Sequence, residues 1–263
     1  MPEDAVLLRR HEAVATLVLN RPEKLNAIND SVIEGLMNAL ESVERDREIR
    51  VAVVTGAGRG FCAGGDIELM KELKTGFHSA AFRRFLEAGH ALVRKVRTMP
   101  KPVVASVNGP AAGGGLSLAL ACDLRIASEQ ATFTQAFIKL GLHPDWGGSF
   151  NLPRLVGTGR ALDMFWLSEP MTAEEAKRLG VINFLVSHEA LAHETAVLAA
   201  RLAAAAALPV ALMKQAFYER IHTELERVMD HELEAQMKCF ASEDFDEGLR
   251  AFSEKRVPKF KGS

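Results

Sequence analysis

The spacing of apolar positions changes several times along the chain, and each change marks an element. "AVLLRR" and "VATLVLN", separated by "HEA", predict two strands joined as a hairpin. "RPEKLNAIND" breaks the pattern and reads as a loop. In "SVIEGLMNALESVERD" the apolar residues Val32, Leu36, Ala39, Leu40 and Val43 share one helical face. "RVAVVTG" and "KPVVASVNG" are β-branched runs that suit strands covered on both faces. Between them, "SAAFRRFLEAGHALVRKVRT" returns to helical spacing. "GGLSLALAC" predicts a short buried helix; "DLRIAS", "ATFTQA" and "VINFLVS" predict strands. "TAEEAKRLG" pairs Thr172 with Glu175 as a capping box and closes on Gly180.

Strands thus alternate with helices through the first part of the chain, while residues 189–256 are almost all helix formers. This order predicts an α/β core over residues 1–195 and a helical oligomerisation region over 196–263. The Ala-rich run 199–207 reads as tight helix packing rather than a linker.

Composition narrows the function classes. A chain of 263 residues with net charge −2 offers no electrostatic footprint for nucleic acid or an anionic membrane surface. The N-terminal stretch "MPEDAVLLRRHEA" lacks the apolar core of a signal peptide, and "RLAAAAALPVALM" is too short to span a bilayer. Cys62, Cys122 and Cys239 are scattered without a CxxC pattern. The expectation is reduced thiols, a cytoplasmic location and no metal site.

Two glycine-rich loops follow buried strands, "TGAGRGFCAGGD" and "NGPAAGGG". Neither is a nucleotide loop. Phe61 stands where a dinucleotide fingerprint needs its third glycine, and Gly115 and Leu116 replace the Lys and Ser/Thr of a phosphate loop. "GLSLA" only approximates a serine-hydrolase elbow, because Ser117 would lie within an apolar helix. Glycines at a helix start let a flat group approach unpaired N–H donors, and two such loops can form an oxyanion hole. Tight strand–helix packing is the other reading of the same glycines.

"NRPEKLNAI", "GAGRGFCAGGDI", "KPVVASVNGPAAGGGLSLALACDLRIAS", "KLGLHPDWGGSFNLPRLVG" and "AEEAKRLGVI" together resemble the enoyl-CoA hydratase/isomerase (crotonase) superfamily over nearly the whole chain. The resemblance implies a spiral of repeated ββα units and a C-terminal helical trimerisation region, with a homotrimer or a dimer of trimers. It implies an acyl-CoA thioester substrate and no cofactor beyond its coenzyme A moiety. The thioester oxygen would lie between the amides of Gly65 and Gly114. Lys24, Leu25, Ala27, Ala63, Asp66 and Ile67 would line the coenzyme A site. Phe252 and Lys255 match positions reaching the nucleotide end, often from a neighbouring subunit. The segment around residues 70–80 would set acyl chain length.

Hydratases of this family use two glutamates, at positions matching Ser117 and Phe137 here. Asp145, in "LGLHPDWGGSF", is the alternative carboxylate. It suits a helix N-cap, and it also matches the catalytic aspartate of two branches. One contains ring-opened phenylacetyl-CoA and Δ3–Δ2-enoyl-CoA isomerases, the other 4-chlorobenzoyl-CoA dehalogenase. His90 and Phe82 match dehalogenase positions as well, but the dehalogenase tryptophans at 89 and 137 are Gly89 and Phe137 here. One carboxylate suffices for a double-bond shift. The expectation is an enoyl-CoA isomerase of fatty-acid or aromatic-acid degradation, with Asp145 as proton shuttle and Trp146 and Phe137 shaping the acyl pocket. His90 would orient the acyl chain or a water. Hydration, dehalogenation and non-catalytic acyl-CoA binding are the alternatives.

Overall fold

The structure is a computed structural model that describes residues 4–76 and 78–263. Residues 1–3, and Phe77 of the segment expected to set chain length, lie outside the described residues. β1 (Val6–His11) and β2 (Val14–Leu19) form the predicted antiparallel hairpin, with Val6 opposite Leu19. In α1 (Asp30–Arg45) all five predicted apolar residues are buried, and the Asn29 side chain caps the helix by accepting the Val32 N–H. β3 (Val51–Gly56) lies parallel to β2. α2 (Ile67–Thr75) and α3 (Ser79–Thr98) then lead to β4 (Val103–Val107). α2 was not anticipated: its nine residues follow the glycine loop directly, and Asp66 caps it.

From β4 onward the chain steps between two sheets. β4 belongs to the large sheet, β5 (Ala111–Ala112) to a small one, and α4 (Gly114–Ala121) closes the unit. β6 (Leu124–Ser128) and β7 (Thr132–Thr134) repeat the step. They are followed by a 3₁₀ turn at Ala136–Leu140, α5 (Gly148–Val156) and α6 (Thr158–Leu167). β8 (Met171–Thr172), α7 (Ala173–Arg178) and β9 (Phe184–Val186) complete both sheets. Their strand orders are β1-β2-β3-β4-β6-β9 and β5-β7-β8. This is the expected spiral of ββα units. The Thr172 hydroxyl accepts the Glu175 N–H at 3.3 Å, as the capping pattern predicts.

The central strands are buried on both faces, as their unbroken apolar runs require. Ala52, Val54, Val103 and Ala105 join the main core with α1 and α3. Val51, Val53, Val104 and Ile126 pack on the other face against Leu191 and Ala199 of α8 (Leu191–Ala204). α8 therefore covers the sheet, and the expected boundary at residue 195 falls inside it. The Ala-rich run is not one packed helix either. α8 ends at Ala204, α9 (Ala207–Ala241) starts at Ala207, and the two axes bend by 101°. The physical reason is Pro209: it fits the first turn of a new helix but would clash with the carbonyl four residues back if α8 continued. α10 (Glu243–Glu254), capped by Ser242, folds back onto the core. Among the described residues no single helix is long and apolar enough to cross a membrane.

Candidate active site

The two glycine loops meet. Cys62 and Ala111 form a parallel bridge, and the Ala112 N–H donates to the Cys62 carbonyl at 2.9 Å. Ile28 bridges Gly65 by accepting from Asp66 and donating to Gly64, which turns the Gly65 N–H away from that contact. Gly114 is the first residue of α4, where amides have no partner within the helix. The loops touch so closely that a Cβ on Gly64, whose φ is +90°, would lie 2.9 Å from the Ala112 carbonyl and 3.4 Å from the Gly114 nitrogen. Gly65 and Gly114 both line one cavity of about 690 Å³. Cys62 beside them is no nucleophile: burial pushes its thiol up to about 12, and it donates to the Asn26 carbonyl.

Asp145 enters the same cavity from the strap between the 3₁₀ turn and α5. It is buried, and a Cβ on Gly114 would lie 3.9 Å from its Oδ1. Oδ1 has no hydrogen-bond partner among the described residues, whereas Oδ2 accepts from Gln236 Nε2 at 3.0 Å. The carboxyl is lifted well above the ordinary range, first by burial and then by the negative charge of Glu232, against the opposing Gln236 bond. Phe137, Trp146 and Leu142 supply apolar walls. Asp145 does not cap α5 with its side chain; Gly147 occupies that position with φ +70°.

Trp146 explains Gly89. The indole lies against α3 so tightly that a Cβ at Gly89 would fall 1.9 Å from its Nε1. Ala has the higher helix propensity, yet Gly89→Ala is expected to destabilise the protein by about 1–3 kcal/mol, because the buried indole and its strap must move. Thermal unfolding checks the sign; a stabilised variant would show that the strap yields freely.

α9 provides polar groups that the sequence reading did not single out. Glu232 is fully buried and accepts from the Gly147 N–H at 2.8 Å, the Ser149 N–H at 3.0 Å and the Ser149 hydroxyl at 2.5 Å. A signal was present: Leu225, Met229, Glu232, Gln236 and Phe240 recur at helical spacing and are all buried, so two polar residues sit in an apolar stripe. Arg21 and Asn26 were also missed. Asn26, at φ 58° and fully buried, donates to the Ala57 and Gly60 carbonyls and accepts the Arg21 N–H. Arg21 donates to the Ala27 carbonyl and to Asp66 at 2.7 Å. These bonds hold the "RPEKLNA" turn against the glycine loop.

The cavity also gathers Lys24, Leu25, Ala27, Ala63, Asp66, Ile67, Phe82, Phe252 and Lys255. Asp66 faces it with its charge already engaged. Burial alone would raise its carboxyl, but the Arg21 bond and the Glu68 N–H hold it below the usual range. Lys24, Arg59, Lys71, Lys139 and Lys255 line the cavity beside Glu23, Asp66, Glu68 and Asp145; Asp66 is paired to Arg21 and Glu68 to Lys24, so Arg59, Lys71, Lys139 and Lys255 outnumber the acids left unpaired. This cationic excess suits a phosphorylated ligand. Phe252 on the chain's own α10 and Lys255, the residue that ends it, reach the cavity: a Cβ on Gly248 would lie 2.5 Å from the Leu140 carbonyl.

His90 is not among the lining residues. It is buried on α3, with Nε2 at 3.8 Å from Glu232 Oε2. Burial, helped by Arg94 and opposed by Glu226, lowers its pKa to about 4. The imidazole is therefore neutral near pH 7, and the contact is not an ion pair. Ser117 also stands apart: its Oγ, without a hydrogen-bond partner among the described residues, lies where a Cβ on Gly148 would come within 2.6 Å.

Comparison with known proteins points to a single family. Residues 9–263 match the family model described as enoyl-CoA hydratase/isomerase. The chain is 41% identical over 257 residues to a 1,2-epoxyphenylacetyl-CoA isomerase from Escherichia coli, covering 98% of each chain. It is 38% identical over 261 residues to a crotonyl-CoA hydratase from Syntrophomonas wolfei, covering 99% of each. A crystal structure of an enoyl-CoA hydratase from Mycobacterium avium subsp. paratuberculosis superposes with a TM-score of 0.89 at 35% identity, covering 99% of this chain and 100% of that one. The family model and these relatives together show that the chain belongs to the enoyl-CoA hydratase/isomerase family of the crotonase superfamily.

Proposed function

We propose that the protein is an enoyl-CoA isomerase that shifts a double bond by moving one proton. Asp145 removes a proton from the carbon next to the thioester, or from the allylic carbon, and returns it two carbons away. Between these steps the negative charge rests on the thioester oxygen, held by the amides of Gly65 and Gly114. Atoms balance: the proton taken is the proton returned. The raised affinity of Asp145 suits a group that must act as base and then as acid.

One observation carries the reading. Of the four carboxylates lining the cavity, Glu23 is exposed, Asp66 is held by Arg21 and Glu68 by Lys24; of these four only Asp145 has a buried oxygen with no hydrogen-bond partner among the described residues. Hydration asks for a group that activates water besides a proton donor to carbon. Neither Ser117, packed under Gly148, nor Phe137 supplies it.

Purified protein given a 3-enoyl-CoA is expected to form the conjugated 2-enoyl thioester. A 2-enoyl-CoA in water and 4-chlorobenzoyl-CoA are expected to react far more slowly. Hydration at comparable rate, chloride release from the last, or binding without turnover of any would each replace this reading. The proposal includes a homotrimer or dimer of trimers, since Trp166 on α6 and Leu208 and Phe217 on α9 are 67%, 70% and 73% exposed in the single chain. It also includes action in the cytoplasm, in fatty-acid or aromatic-acid degradation, where the free thiols of Cys62, Cys122 and Cys239 suit a reducing compartment.

A further inference from the structure

Glu232 stands behind Asp145 in an arrangement that packing alone does not account for. A wholly buried carboxylate costs several kcal/mol unless well partnered. Each hydrogen bond that Glu232 accepts comes from Gly147 or Ser149, the residues just after Asp145 and Trp146. One turn further along α9, Gln236 donates to Asp145 itself. A single helix face therefore grips the strap on both sides of Trp146, with a charge at one point and a neutral amide at the other.

We propose that Glu232 is a positioning residue for the proton transfer: through its grip on residues 147–149 and its charge, it keeps Asp145 able both to take and to return a proton. This rests on Asp145 being the proton carrier of the proposed isomerisation. Glu232 does not line the cavity, so it touches no substrate atom. Its charge is felt at Asp145, whose carboxyl it lifts after burial has done the larger part. Burial lifts Glu232 too, to about 7, against the bonds from Ser149 and Gly147. The other groups around it do not cancel this charge. From α3 it faces His90, which is neutral near pH 7. On its own helix it has Gln236. Arg94, further along α3, is paired with Glu226 at 2.7 Å. The two buried acids thus oppose each other's ionisation, and their titrations are coupled.

The experiment compares wild type, E232Q, E232D and D145N. The pH profile of kcat/KM is measured for the first three. The carboxyl titrations of Asp145 and Glu232 are followed without substrate, by infrared or by ¹³C-labelled carboxyl resonances. In E232Q the acid limb of kcat/KM is expected to move down by about one pH unit, because the repelling charge is gone. E232D keeps the charge, so its limb stays near that of wild type while kcat falls. By reciprocity, D145N moves the Glu232 titration down by a similar amount. A merely structural role would lower stability and leave these positions unmoved. A folded E232Q with the wild-type limb, or a Glu232 titration unchanged in D145N, overturns the proposal. Should E232Q fail to fold, the D145N titration decides alone. If no enoyl-CoA is turned over, the isomerase reading fails, while the titrations still report whether the two acids are coupled.

Discussion

Asp145→Asn is expected to lower kcat for 3-enoyl-CoA isomerisation by about 10²–10⁴-fold with little change in KM, since the base is lost while the coenzyme A contacts stay. Asn has nearly the same shape, and its side chain can still meet Gln236 where Asp145 Oδ2 does. The same substitution is expected to stabilise the fold. Asp145 has a folded-state pKa well above its unfolded value of 3.8. Its contribution to stability is therefore fully present below about pH 3.8 and is lost as pH rises through the raised folded value. Asn does not titrate, so Tm of the variant minus Tm of wild type should widen from acid toward neutral and alkaline pH. Thermal unfolding over that range, beside steady-state kinetics, separates the two effects. A variant with undiminished turnover would remove Asp145 from the chemistry. A Tm difference that narrows with rising pH would show that the buried carboxyl is not the source of the cost.

Gly115→Ala is expected to be the most damaging single-methyl change near the oxyanion site. A Cβ there would lie 2.2 Å from the Cys62 carbonyl oxygen and 2.7 Å from Cys62 Cβ. The clash is with backbone, in the contact that draws the two glycine loops together, and no side-chain rotation relieves it. Separating the Gly65 and Gly114 amides removes the paired donors, for which a loss of about 10²–10³ in kcat is typical. The strain adds about 1–3 kcal/mol of destabilisation. Gly159→Ala is the matched control: it lies in α6 with nothing among the described residues within 4 Å of the added atom. Activity should be unchanged there and stability improved by about 0.5–1 kcal/mol. Equal activity of the two variants would show that the close approach at Gly115 does not set the donors.

The fold was legible because burial period and local chemistry agree along most of the chain. Val32, Leu36, Ala39, Leu40 and Val43 mark α1, the β-branched runs mark β3 and β4, and Thr172 with Glu175 marks the start of α7. Two-residue strands such as β5 and β8 carry no period, so they became visible only through their partners across the small sheet. At the site, Asp145 and the glycine pair were readable because few residue types serve those tasks, and the family motifs named the coenzyme A residues one by one. What those residues see depends on segments distant in sequence. Only folding sets Gln236 on Asp145 and Glu232 behind it, fills the space over Gly89 with Trp146, and turns His90 away from the cavity. The identity of the groups is written locally. Their proton affinities and free directions come from burial and charge contributed by elements far along the chain, which no local pattern encodes.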